Sequence, residues 1–272
     1  MTTTPVRISR DTLTEAHATR FCATFDAGLP GDGLLPPGIH WTLCTPDART
    51  GTLGADGHPL DDGLLQPPDG LPRRMWAGSD VEFHAPIRVG DTVLRQSRVS
   101  SRRDKHGSTG RLHFVSVAHE TFAGDALAVR ETQHLVYREA VAPGTPPAEP
   151  VEPDLPSPLV DAPAQRKIMP TAALLFRYSA LTFNTHRIHY DAPYAREVEA
   201  YPAPVVHGPL LATLLLALAE EVLERAPHRF SFRAMSPAFV DRELTLAAMH
   251  EGEGLTLATL SGARETVRAS AS

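Results

Sequence analysis

"LTFNTHRIHYDAPYAREVEAYPAPVVHGPLLATLLLALAEEVL" (Leu181–Leu223) decides how this chain folds. It ends in a helix with almost no polar face. Pro209 suits the first helical turn, where its missing N–H costs nothing. Leu210, Leu211, Leu214, Leu215, Leu218 and Val222 are apolar, and Ala212, Leu216, Ala217 and Ala219 fill most of the other faces. A helix that is apolar all round needs cover on nearly every side. An antiparallel sheet curled around it supplies that cover. Glu220, Glu221, Glu224 and Arg225 mark its return to water. Ahead of it stand Asn184, His186, His189 and His207, so proton carriers and an amide gather where a buried helix begins.

Strands for that sheet follow the helix. Phe232–Leu244, FRAMSPAFVDREL, reads as strand, proline-marked bend, strand, and alternating LTLAAMH and LTLATLSG come next. The first half carries a matching piece, Val81–Val93, VEFHAPIRVGDTV, followed by RLHFVSVAHETF and LAVRETQHLVYRE. Aligning Pro86 with Pro237 also pairs Val81 with Phe232, Val89 with Val240, and Val93 with Leu244. Between the halves, Glu139–Ala164 is too rich in proline for helix or sheet ladder and reads as an extended connector. Two copies of one α+β unit are expected: residues 1–138, a linker over 139–164, and residues 165–272. Asp11–Asp26 is an amphipathic helix candidate. Gly28–Leu71, heavy in Gly, Pro and Asp, reads as a surface wrap apart from IHWTL around Trp41. Tyr178 and Ser179 read as part of a strand leading into the histidine loop.

Composition excludes several classes. The 272 residues are 42% hydrophobic and 21% charged, which is enough for a packed core and unlike a disordered chain. A net charge of -6 leaves no electrostatic footprint for nucleic acid. Cys22 and Cys44 have no metal-ligand spacing and form no secreted-type framework. MTTTPVRISRDTLTEAH lacks an apolar stretch of signal-peptide length, and no segment reaches the roughly 18 apolar residues of a membrane span. A soluble protein in the reducing cytoplasm, bound to neither membrane nor nucleic acid, is expected.

FRYSALTFNTHRIHYDAPYA followed by VVHGPL resembles the motif of MaoC-like, or R-specific hydratase 2, proteins. LPRRMWAGSDVEFHAPIRVGDTV is similar to the N-terminal domain that accompanies this motif in one branch. That branch holds the mesaconyl-C4-CoA (3-methylfumaryl-CoA) hydratases and the fungal mitochondrial-type 3-hydroxyacyl-thioester dehydratases. The resemblance spans Leu71–Glu139 and Phe176–Leu244. It implies a double hot-dog fold of the α+β class: two antiparallel sheets, each wrapped around a helix, fused in one chain, with the catalytic motif in the second. The family histidine falls on His189 and the helix-opening glycine on Gly208. The family aspartate falls on Asn184, and the asparagine two residues later falls on His186; both are departures. The resemblance implies reversible hydration of an enoyl thioester, favouring a branched C4–C5 dicarboxylic acyl-CoA such as mesaconyl-C4-CoA. Alternatives are a 3-hydroxyacyl-ACP or -CoA dehydratase, a thioester hydrolase, or a non-catalytic thioester-binding subunit. No metal or redox cofactor is implied; the partner is the acyl-CoA or acyl-ACP substrate, and a homodimer is compatible.

The chemistry can be stated from the residues as well. Adding water to an enoyl thioester needs a base for the water, a proton for the α carbon, and donors for the thioester oxygen as an enolate develops. N–H groups at a helix N-terminus are unpaired and carry the positive end of the dipole. Pro209 has no N–H, so Gly208 is the donor there. An imidazole such as His189 titrates near working pH. Asn184 can orient water or substrate but cannot take a proton. His186 and His189 could instead share a metal, His207 could merely cap the helix, and Asn184 could serve the loop backbone alone. Arg73 and Arg74, ahead of Trp76, and Arg187 in the loop are candidates for a substrate carboxylate, which guanidinium grips with two parallel hydrogen bonds. Arg88, Arg95, Arg98, Arg102, Arg103 and Lys105 form a basic run that could meet CoA phosphates or face water. Only one complete catalytic set is visible, so one site between the halves is expected.

Overall fold

A computed structural model describes residues 5–107 and 110–272. Met1–Thr4, where the search for a targeting segment begins, lie outside the described residues. The first unit runs β1 (Arg7–Thr12), α1 (Glu15–Thr24), β2 (Arg73–Phe83), β3 (Thr92–Gly107), β4 (Gly110–Ala123) and β5 (Ala126–Arg138). The second runs β6 (Ala164–Ile168), α2 (Ala172–Thr182), α3 (Ala192–Glu197), α4 (Gly208–Leu223), β7 (Arg229–Ala234), β8 (Leu244–Glu251), β9 (Gly254–Ser261) and β10 (Arg264–Ala271). All ten strands join one antiparallel sheet in the order β1-β3-β4-β5-β2-β7-β10-β9-β8-β6. Read outward from the β2–β7 seam, the two halves repeat each other strand for strand. This is the double hot-dog architecture.

The repeat extends to single hydrogen bonds. Val89 N donates to Gly33 O, and Val240 N to Pro204 O, both at 3.0 Å. Leu35 N reaches Ile87 O as Val206 N reaches Ala238 O, beside the paired bridges Leu34–Arg88 and Val205–Phe239. The alignment of Pro86 with Pro237 is therefore the structural register.

That register corrects the expectation of a helix inside each sheet. Leu35 and Val206 are equivalent, and two residues after Val206 the chain enters α4. After Leu35 it makes only the short 3-10 turn Ile39–Thr42, because PPGIHWTLCTP breaks at its prolines and has no apolar run to continue. The helix expected at Asp11–Asp26 is α1, trimmed because Asp11 and Thr12 belong to β1. Its counterpart is α2: Thr14 and Thr171 cap the two helices alike, each accepting an N–H at 3.2 Å. Tyr178 and Ser179 accordingly lie on α2 and not on a strand, with Leu175, Tyr178 and Leu181 forming its buried face.

The long helix is covered as its composition demands. Leu210, Leu211, Leu215, Leu216 and Leu218 of α4 are buried within a core shared with β7, β8, β9 and β10. Among the described residues no helix is long and apolar enough to cross a membrane.

Two irregular stretches do more than connect. Within Gly28–Leu71, expected on the surface, Leu35, Leu64, Leu65 and Leu71 are buried as well as the 39–44 turn. The proline-rich segment ends by packing: Leu159 and Ala162 are buried against Ala247, Ala258 and Leu260.

Candidate active site

The histidine loop is built by the end of α2. Phe183 takes a left-handed conformation (φ 48°) that stops the helix, and Asn184 N bonds back to Ser179 O at 2.9 Å. Asn184 Oδ1 accepts from His186 N at 3.0 Å, so its carbonyl serves the loop and its amino group is left over. The next turn, Arg187–His189, turns His189 inward. His189 Nδ1 lies 2.7 Å from Val205 O. A carbonyl only accepts, so Nδ1 carries the proton and Nε2 holds a free lone pair.

His189 stacks on His207, ring centroids 3.6 Å apart and 19° from parallel. His207 Nε2 in turn meets Ser179 Oγ at 2.8 Å. His207 holds the N-cap position of α4 but its side chain makes no capping bond; the expected capping role belongs to its backbone alone. The adjoining Gly208 opens α4, followed by Pro209, which has no N–H. A Cβ at Gly208 would meet only Trp76 O, at 3.9 Å, so there is room beside its Cα, and the residue lines the cavity.

Burial sets the proton chemistry. It lowers the His189 pKa to about 4, with the Val205 hydrogen bond opposing and the His58 charge adding. His186 and His207 are held well below the usual value by burial first and by neighbouring imidazoles second. All three are neutral at pH 7. An imidazole titrating near working pH, as its residue type suggests, is therefore not what the fold provides: His189 is a base at rest.

Sequence reading missed one part of the first unit's share of this site, the 54–58 loop. Residues 54–58 dock on the loop: Arg187 N donates to Asp56 O at 2.8 Å, and Thr185 Oγ1 donates to Gly57 O. Gly57 (φ +90°) is required here, since a Cβ would lie 1.9 Å from Thr185 O. The docking brings His58 to a ring-centroid distance of 4.1 Å from His186. Asp56 Oδ2 bonds His58 Nδ1 at 2.8 Å, an arrangement that orients a ring and fixes its tautomer. Asp56, His58 and His186 also offer ligand atoms within 4.8 Å of one another; this is the set a metal would use, in place of His186 with His189. The one sequence signal was an Asp-x-His inside a loop too irregular to place.

The arginines divide. Arg74 and Trp76 line the cavity with Asn184, His186, His189 and His207. Trp76 Nε1 is held by Gly78 O and Ser79 Oγ, both at 3.0 Å. Arg73 and Arg187 do not line it. Arg73 Nε pairs with Glu199; Arg187 binds Asp191 through Nε and Nη2 at 2.9 and 2.7 Å and lies 4.1 Å over the Tyr194 ring. Their guanidinium groups are spent on the fold, which corrects the expectation that they meet a substrate carboxylate.

One cavity of about 470 Å³ contains the His189 and Gly208 positions together and runs on under the first unit's sheet. The model of the family described as hydroxyacyl-thioester dehydratase type 2 matches residues 38–240. The chain belongs to this family. It is 42% identical over 250 residues to the mesaconyl-C(4)-CoA hydratase of Chloroflexus aurantiacus, covering 91% of this chain and 87% of that one. It is 27% identical over 258 residues to the mitochondrial hydroxyacyl-thioester dehydratase type 2 of Schizosaccharomyces pombe, covering 87% and 84%. HtdX of Mycobacterium tuberculosis superposes with a TM-score of 0.71 at 17% identity, over 98% of this chain and 99% of that one, which shows the shared fold. At Asn184, where the resemblance drawn from the sequence implies a carboxylate, this hydro-lyase family member carries an amide, and the Asp56–His58 pair meets the same loop at His186.

Proposed function

We propose that the chain reversibly hydrates an enoyl-CoA whose acyl group is a short, branched dicarboxylic one, as in mesaconyl-C4-CoA. The observation that carries this reading is the stacking of neutral His189 on His207, immediately before Gly208, inside one cavity. The similarity to a mesaconyl-C(4)-CoA hydratase supports the choice of substrate.

The thioester oxygen accepts from Gly208 N–H, where the dipole of α4 favours negative charge. His189 Nε2 takes a proton from water as the water oxygen bonds to the β carbon. The π pair moves to the α carbon as an enolate, which takes the proton now on His189 Nε2 and returns that ring to neutral. With Asn184 unable to carry a proton, His58, its ring oriented by Asp56, holds His186 and the attacking water in place. Nothing in this sequence of steps calls for a metal or a redox cofactor. Both cysteines are buried and free, in keeping with a reducing cytoplasmic setting.

The test is mesaconyl-C4-CoA with the purified protein. Enoyl absorbance falls with no free thiol released; thiol release would assign hydrolysis instead, and no change with any enoyl-CoA would remove the hydratase reading.

Two further outcomes are expected. Asp56→Asn lowers kcat about 10-fold or more with KM little changed, read by steady-state kinetics; an unchanged kcat removes His58 from the mechanism. The pH profile follows from the direction of the His189 shift. Its folded pKa, about 4, lies below the unfolded value of roughly 6.5. Activity that needs the neutral ring is thus level from about pH 6 to 8 and falls as pH drops toward 4. Because the unfolded chain takes up protons first, stability also falls as pH drops below about 6.5. An activity that rises with a midpoint near 6.5 contradicts the neutral-base assignment.

A further inference from the structure

The first unit's concave face is polar where the second unit's is apolar. The structural register, with Val93 matching Leu244 and the strand pairings carried across, sets Arg95 at the place of Leu246. It likewise sets Ser97 at Ala248, His119 at Leu257, Glu131 at Ala269 and Gln133 at Ala271. The five second-unit residues are buried in the sheet that wraps α4. In the first unit the helix is replaced by the 39–42 turn. Arg95, His119, Glu131 and Gln133 there line the same cavity as His189 and Gly208.

These groups are not satisfied among themselves. Arg95 donates from Nε to Thr121 Oγ1 at 3.1 Å and from Nη2 to His40 O. Among the described residues no carboxylate forms an ion pair with it. Glu131 Oε1 is taken by Ser79 Oγ at 2.6 Å and Trp41 Nε1 at 3.1 Å, and burial raises its pKa, so it retains a proton more readily and offsets less of the Arg95 charge. His119 contributes no charge, since burial and then Arg95 lower its pKa to about 3. Its ring joins Ser97 Oγ at 2.8 Å to Gln133 Oε1 at 3.4 Å, which leaves the Gln133 amino group as a donor. A largely buried guanidinium and a free amide donor that line one cavity are costly unless an anion meets them.

We propose that, in this helix-free chamber, Arg95 and the Gln133 amide bind a carboxylate at the free end of the acyl chain. The proposal rests on the thioester reading given above and names what that site selects. A plain hydrocarbon tail would leave both donors unpaired, which is how a site built for a polar group rejects the analogue lacking it.

The experiment compares succinyl-CoA with butyryl-CoA, which differ in the distal carboxylate, by calorimetric binding to the wild-type protein, Arg95→Met, Gln133→Leu and Arg74→Met. Wild type is expected to bind succinyl-CoA about 10-fold or more tightly. Arg95→Met abolishes that preference, Gln133→Leu reduces it, and Arg74→Met keeps it. In parallel, Arg95→Met raises KM for mesaconyl-C4-CoA about 30-fold or more, while kcat/KM for crotonyl-CoA stays within about threefold. Equal binding of the two thioesters by wild type overturns the proposal with no variant needed. A preference that survives Arg95→Met, or disappears with Arg74→Met, overturns it as well. Should Arg95→Met not fold, the wild-type comparison and Gln133→Leu decide. Absence of hydration with the binding preference intact removes the hydratase reading and leaves the subsite standing; hydration without the preference does the reverse.

Discussion

Replacing His189 with glutamine lowers kcat by about 10²–10⁴-fold and leaves KM within a few-fold. The glutamine amide can still donate to Val205 O in place of Nδ1, and it occupies a position only 9% exposed. What it removes is the lone pair on Nε2, on a ring that lines the same cavity as Gly208. The loss therefore falls on proton transfer, a transition-state term, and steady-state kinetics separates it from binding. A variant that keeps wild-type turnover would take His189 out of the chemistry.

Leu215→Ala costs about 3 kcal/mol of stability, within the range for large-to-small core changes. Leu215 is fully buried in α4, and its neighbours come from a sheet that closes around the helix, so the cavity left behind cannot collapse easily. A lower urea midpoint at unchanged m reads this out directly. The folded variant keeps its activity within about twofold, because the first turn of α4 is held by His207, Ser179 and the stack on His189 rather than by Leu215. A loss of activity without a loss of stability would mean that the interior of the helix, and not its first turn, positions the site.

How much of this was legible depended on whether a signal was local. The α4 sequence announces its own burial through composition, and the proline-aligned strand pairs give the repeat its true register. The equivalence of α1 with α2 was also present, in the matching TEAHATRFCATF and TAALLFRYSALTF runs, but aromatic and small residues there imitate a strand until the threonine caps are seen. Asp56 and His58 could not be placed from sequence. Their position is fixed by Gly57 fitting against Thr185 O, a contact between residues more than a hundred positions apart. Arg95 reads on paper as one of a basic run facing water or phosphate. Strand alternation turns it inward with Val93 and Ser97, but only the absence of a helix above β3 to β5 gives it a chamber to line, and an absence in one repeat has no local sequence mark. The roles expected of Arg73 and Arg187 were lost for a related reason: Glu199 and Asp191 are partners that tertiary packing supplies.

If Gly208 N–H and His189 Nε2 act on one substrate from two sides, a structure of the His189→Gln variant holding mesaconyl-C4-CoA will show it. The thioester oxygen is expected within hydrogen-bond distance of Gly208 N, and the β carbon facing residue 189 across the space of one water. A thioester bound away from the start of α4, or turned so that its β carbon points away from residue 189, would contradict it.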